Sequence, residues 1–165
     1  MKKIVLNLDG AKAIAVLHER EMPKTCKAIW NLLPLKGKSI HANWAGRETM
    51  LHLEGAKYVK LEQEGAKRAP GPGHISYFFR APGVLRGQQA AYNEEFKRGL
   101  CELAIYYGAE APSMRDVGRE PDPERSVNNW FASFEMPVPV KFVQKCDDLN
   151  FTGMNILTIT RYRGA

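Results

Sequence analysis

The sequence predicts a mainly β fold, a closed barrel or a sandwich, with one strong helix. Roughly eight or nine short strand-like stretches run along the chain, and many short strands in one unit favour closure or two packed sheets. Turn residues, 14 Gly and 10 Pro, punctuate them. One stretch stands out by repeating its apolar residues at intervals of three and four, the helical spacing. The 165 residues show no repeat and no linker, so residues 1–165 are expected to form a single domain, near the usual ~100–150 residues.

The elements follow in order. Lys3 to Leu8 alternates and Ala13 to Leu17 is a short apolar run, so the two read as a hairpin turning at Asp9-Gly10. Pro23 suits the first turn of a helix, and Cys26, Ile29, Trp30 and Leu33 then fall on one face. This helix, Pro23 to Leu33, is stopped by Pro34 and Gly37. Ser39 to Leu53 is strand-like around Gly46, an interior glycine that marks a bulge or a close backbone approach. Tyr58 to Leu61 reads as a further strand, and Gly65 to Gly73 as a surface loop. Ile75 to Arg80 and Glu102 to Tyr107 are strands, with Gln88 to Gly99 between them a short helix or an insertion. Ala111 to Glu124 is a loop by its proline and charge. Val127 to Glu135, Val140 to Gln144 and Asn155 to Tyr162 read as closing strands. One or two minor helices complete the expected fold.

Composition narrows the partners. Lys and Arg number 24 against 18 Asp and Glu, a formal charge of +6, which attracts anions. The basic residues are scattered, with their tightest groups at Lys36/Lys38, Lys67/Arg68 and Arg161/Arg163, and carry no RNA- or DNA-binding signature. No nucleic-acid partner is therefore expected, and a small anionic metabolite is. No stretch approaches the ~18 apolar residues of a membrane span, and none has the ~7–15 of a signal peptide, so no membrane partner is expected. Cys26, Cys101 and Cys146 share no CxxC spacing, which argues against zinc or a disulfide framework and for a reducing cytoplasm. A phosphate-cradling glycine loop, a GxSxG elbow and an HExxH helix are all absent from the sequence, so no metal or cofactor is expected. A homo-oligomer is compatible with a barrel of this size.

The order of the motifs carries a resemblance. Residues 23–33 (Pro-Lys-Thr-Cys-Lys-Ala-Ile-Trp-Asn-Leu-Leu) follow two strands and lead into Ser39-Ile40-His41. This resembles the cyclophilin fold, where a Pro-Lys-Thr helix links the opening hairpin to the strand bearing catalytic residues. The chain is more closely similar, over nearly its whole length, to a bacterial branch of small cyclophilin-like proteins mostly of unknown function. The matching stretches are Glu19 to Cys26, Leu32-Leu33-Pro34, His41 to Glu48, Pro72 to Tyr77 and Ile105 to Gly108. The resemblance implies a closed eight-stranded barrel. It does not imply prolyl isomerase activity, because cyclophilins read Phe-His-Arg where this chain reads Ile40-His41-Ala42, and their Gln-Gly-Gly-Asp signature is missing. Without the arginine, no cation polarises the prolyl amide.

Candidate functional residues gather in two places. On a strand, His41 and Asn43 share a face and Trp44 points away, with Gly46 disturbing the register. His41 can move protons near neutral pH, or sit hydrogen-bonded in the core. Trp44 can floor a pocket or fill the core. Arg47 is a candidate carboxylate clamp, through its two-pronged guanidinium, or a surface ion pair. Glu48 must point away from Arg47 unless a bulge intervenes, and becomes a candidate general base if buried. His18, Glu19 and Glu21 form an acid/base group or a solvated turn before the helix. In the second group, Tyr77 shares a face with Phe79, and Arg80 sits at a strand end where it can reach a pocket mouth. Tyr106 or Tyr107 can donate a phenolic hydrogen bond to a substrate, or fill the barrel. Arg115 lies in a loop long enough to be a binding loop.

The expected function is that of a small-molecule enzyme or ligand-binding protein for a carboxylated metabolite, with a pocket on the barrel. His41, Glu48 and Tyr77 are its catalytic candidates, and Trp44, Arg47, Arg80, Tyr107 and Arg115 its substrate-binding ones. The resemblance, which extends remotely to an opine-forming enzyme and to barrels of cyclic-amide metabolism, implies carbon–nitrogen bond formation or cleavage. The alternative is a non-catalytic peptide-binding or scaffold domain.

Overall fold

A computed structural model describes residues 1–42, 46–65, 71–82, 99–108 and 126–164. The expectations for Trp44, for Arg115 and for the stretches 88–98 and 111–124 fall outside these residues. Among the described residues, eight antiparallel strands close into a barrel in the order β1-β2-β7-β5-β6-β4-β3-β8. They are β1 (Lys3–Leu8), β2 (Ala11–Leu17), β3 (Leu35–His41), β4 (Glu48–His52), β5 (His74–Arg80), β6 (Leu100–Tyr106), β7 (Ser126–Phe134) and β8 (Asn155–Arg161). Two helices accompany them, α1 (Pro23–Leu32) and α2 (Val140–Thr152). The mainly β closed barrel that the sequence predicts is the fold found.

The β1–β2 hairpin turns where expected. Leu8 pairs with Ala11 across Asp9 (φ 50) and Gly10 (φ 85), the two positive φ values that a two-residue turn matched to strand twist requires. Strand alternation then fills the interior. Ile4, Leu6 and Leu8 of β1, Ile75, Tyr77 and Phe79 of β5, and Leu103 and Ile105 of β6 all enter one core. On β3 the inward row is Leu35, Gly37, Ser39 and His41. Gly37 is needed there, since a Cβ would meet Leu51 Cδ1 at 2.8 Å.

The helices cover opposite ends. α1 buries Thr25, Cys26 and Ile29, and its Trp30 lies beneath Lys2 and Arg161, at the end where β1 begins and β8 finishes. α2 buries Phe142, Cys146 and Leu149, and Lys145 bonds Asp9 Oδ2 at 2.6 Å, at the β1–β2 turn. Two sequence expectations are corrected. Val140 to Gln144 is not a strand but the start of α2: its apolar residues recur at i, i+4 and i+7, Pro139 precedes it, and Gly153 (φ 81) ends it. Tyr58 to Leu61 is not a strand either. Its polar atoms are taken by side chains, Tyr77 Oη donating to Val59 O (2.6 Å) and accepting from Leu61 N (3.1 Å).

Candidate functional site

The site lies at the α2 end of the barrel, where inward residues of β3 and β6 meet the helix. His41 is the last residue of β3, and Tyr107 follows the end of β6. Their side chains converge because both continue the inward row. His41 Nε2 lies 2.7 Å from Tyr107 Oη, with the rings edge-on at 5.8 Å. Tyr107 Oη donates to Asp147 Oδ1 on α2 at 2.7 Å. A phenol has one proton to give, so with that proton on Asp147 the imidazole must donate from Nε2. The chain is therefore directional, His41 to Tyr107 to Asp147. Burial, then the Asp147 carboxylate, pushes the Tyr107 phenol well above its ordinary range and keeps it protonated.

Arg47 completes the group. The backbone holds it in place, as Tyr107 N donates to Arg47 O at 3.1 Å. Its Nε stands 3.6 Å from Asp147 Oδ1, with both side chains more than a third exposed, so this pair contributes little to stability. Gly108 accommodates the arginine stem, since a Cβ there would collide with Arg47 Cβ, Cγ and Cδ. Arg47, Tyr107 and Gly108 line a cleft of ≈ 380 Å³ together with Pro72, Gly73, Met136, Pro137, Val138 and Val143. Val143 and Asp147 are one helical turn apart on α2, which puts an apolar wall and a carboxylate on the same face.

The structure thus brings together His41, Arg47 and Tyr107, three of the residues singled out in the sequence. The others lie elsewhere. Glu48 is buried on the outward face of β4, opposite Tyr106 and away from the Arg47 cleft, so the two neighbours do point apart. Tyr77 is fully buried inside the barrel, and its hydroxyl bonds the backbone of Val59 and Leu61. Arg80 sits over the Phe78 ring, at the β5 end paired with Leu100. Six residue steps along β6 separate that end from Tyr106, about 20 Å at strand rise. Ala42, where the resemblance led one to look for an arginine, is buried beside Ile40 and Met50. His18 accepts or donates at Ser133 Oγ (2.8 Å) and meets Trp130 edge-on, and burial lowers its pKa. Asp147 was not singled out in the sequence. The signal that could have found it is the Phe142, Cys146, Leu149 spacing, which makes its segment a helix.

The arrangement is a closed antiparallel barrel with a polar relay and an arginine at one mouth. The chain belongs to the family described as Protein of unknown function (DUF3830), whose profile matches residues 4–123. Asp147 and most of the apolar wall lie beyond the matched stretch. Among curated proteins nothing matches. Two solved structures are similar. One is McbB in complex with tryptophan, at 14% identity and TM-score 0.51, covering 98% of this chain and 45% of that one. The chain thus spans less than half the length of McbB. The other is the hypothetical protein AF2241 from Archaeoglobus fulgidus, at 15% identity and TM-score 0.52, covering 98% and 95%. At these identities the likeness is one of fold, and it fits a cyclophilin-like barrel. No helix among the described residues is long and apolar enough to cross a membrane.

Proposed function

We propose that the chain binds a small carboxylated metabolite in the cleft beside Arg47. The observation that supports this best is the junction of an apolar wall with a polar chain: Arg47 and Tyr107 themselves line the cleft, and Asp147 ties them together. A guanidinium has five N–H donors, more than one carboxylate can use, and its planar fork suits a second one from a ligand. The ligand's apolar part would lie on Pro137, Val138 and Val143. On ligand binding the Tyr107 phenol, held protonated, would turn its one O–H from Asp147 to a ligand carbonyl or nitrogen, while His41 Nε2–H goes on donating to the phenol oxygen. A relay of this kind serves carbon–nitrogen bond formation or cleavage, the chemistry that the cyclophilin-like resemblance implies. The reading includes a single domain over residues 1–165 and a cytoplasmic setting, which the free Cys26, Cys101 and Cys146 support. Glu48, Tyr77 and Arg80 take no direct part in this cleft.

The test compares carboxylates with their amides, tryptophan and tryptophanamide among them, by calorimetry and thermal shift. The carboxylate is expected to bind and the amide to bind more weakly. Arg47→Ala is expected to reduce carboxylate affinity by roughly ten- to a hundredfold, the worth of a charge-assisted hydrogen bond. Equal binding of both ligands, or an unchanged affinity in Arg47→Ala, would overturn the reading. Binding without turnover in the same series selects the non-catalytic alternative.

A further inference from the structure

A second cavity, of ≈ 560 Å³, opens along β3 and β4 and shares no lining residue with the Arg47 cleft. It exists because the two strands part company. β3 pairs with β4 only over Ser39–His41, while β4 beyond His52 turns to β6, where Leu53 N bonds Cys101 O at 2.8 Å. The other edge of β3 remains on β8 over Leu35 to Ser39. The gap between residues 35–38 and 52–57 is the groove.

Its lining is basic. Lys36 and Lys38 alternate with the inward Leu35 and Gly37, so both side chains rise from the outward face, their Cα atoms about 7 Å apart at strand spacing. Both are exposed, and neither has a hydrogen-bonded or ion-paired partner among the described residues. Lys57 stands across the gap, anchored by Leu32 O at 2.8 Å. His52 forms the back wall, with its Nε2 3.4 Å from the buried carboxylate of Glu102. Against three lysines the groove carries one acid, Glu54, which makes no salt bridge to them. Lysine is a compact point charge, whereas a carboxylate is best gripped by an arginine fork. Three separated ammonium groups suit the three oxygens of a phosphate.

We propose that this groove is an anion site for phosphate or the phosphate group of a small organic ligand, held by Lys36, Lys38 and Lys57. It is separate from the Arg47 cleft and does not depend on what that cleft binds. The test titrates inorganic phosphate, with acetate as comparison, into the full chain and follows it by calorimetry and by 31P line width. Phosphate is expected to bind in preference to acetate. The double substitution Lys36→Ala with Lys38→Ala is expected to weaken phosphate at least tenfold, and Glu54→Gln to tighten it. Lys141→Ala, on exposed α2 surface, is expected to leave it unchanged. These lysines are exposed, so the double variant keeps its fold, which its thermal transition reports. Equal loss in Lys141→Ala would make the effect one of net charge and overturn the proposal. So would indifference to the double substitution, or single-stranded RNA or polyphosphate binding far more tightly than phosphate.

Discussion

Tyr107 is the residue on which the candidate site turns, because its hydroxyl both accepts from His41 and donates to Asp147. Tyr107→Phe keeps the ring in the core and removes only that oxygen. The cost is expected to be about 1–2 kcal/mol, since two polar partners lose a bond and the partly exposed Asp147 can recover one from water. Urea unfolding checks this: the midpoint should fall with the slope unchanged, and an unaltered midpoint would show that the relay is not formed. His41, Arg47 and Tyr107 were legible in the sequence as chemistry-bearing residues at strand ends, and alternation separated Arg47 from Glu48. That they meet was not legible. Tyr107 and Asp147 are 40 residues apart, and only the closed barrel with α2 across its mouth joins them. Tyr77 looked equally capable from its residue type, yet alternation places it on the inward row, where backbone groups take its hydroxyl.

At the scale of elements, α1 shows how a segment without regular structure stabilises one that has it. Its N-cap residue, Met22, offers no side-chain bond, and Pro23 follows. The missing cap comes from Glu64, whose carboxylate accepts from Lys24 N (2.9 Å), Thr25 N (2.8 Å) and Thr25 Oγ1 (2.8 Å). Burial works to raise the Glu64 pKa, but these donors outweigh it and the net shift is downward. Glu64→Gln is expected to cost about 1 kcal/mol at neutral pH, the usual worth of a cap. A carboxyl whose folded pKa is depressed contributes stability above its unfolded value, near 4.3, and loses it as pH falls through the folded one. The gap between wild type and Glu64→Gln should therefore close in acid, and a gap independent of pH would argue against the cap. The strands and α1 were readable because alternation and turn chemistry are local. The cap was not, because nothing near Pro23 points to a glutamate some 40 residues on. α2 was misread for a different reason: Val140 and Val143 are β-branched, and propensity hid the i, i+4, i+7 spacing of Phe142, Cys146 and Leu149.

For the whole molecule, closure decides how the ends of the chain behave. β1 and β8, the first and last strands, would be the fraying parts of an open sheet. Here β8 is paired on both sides, Leu157 and Ile159 facing Leu8 and Leu6 of β1 and Gly37 and Leu35 of β3. Both residues are buried in the same core as Leu103 of the central β6. A barrel has no edge from which to unzip, so opening β8 breaks two ladders and exposes the interior at once. Amides of Leu157 and Ile159 are expected to exchange with solvent only through global unfolding, at the free energy shown by Leu103. Native-state hydrogen exchange across low denaturant checks this directly. The three amides should share one free energy and one denaturant slope. If instead β8 opens at a markedly lower free energy with a shallow slope, the strand detaches on its own and the barrel is not cooperatively closed. The Arg47 cleft would then share in that local opening, because α2 connects directly to β8 and brings Asp147 to the site from the same end of the chain.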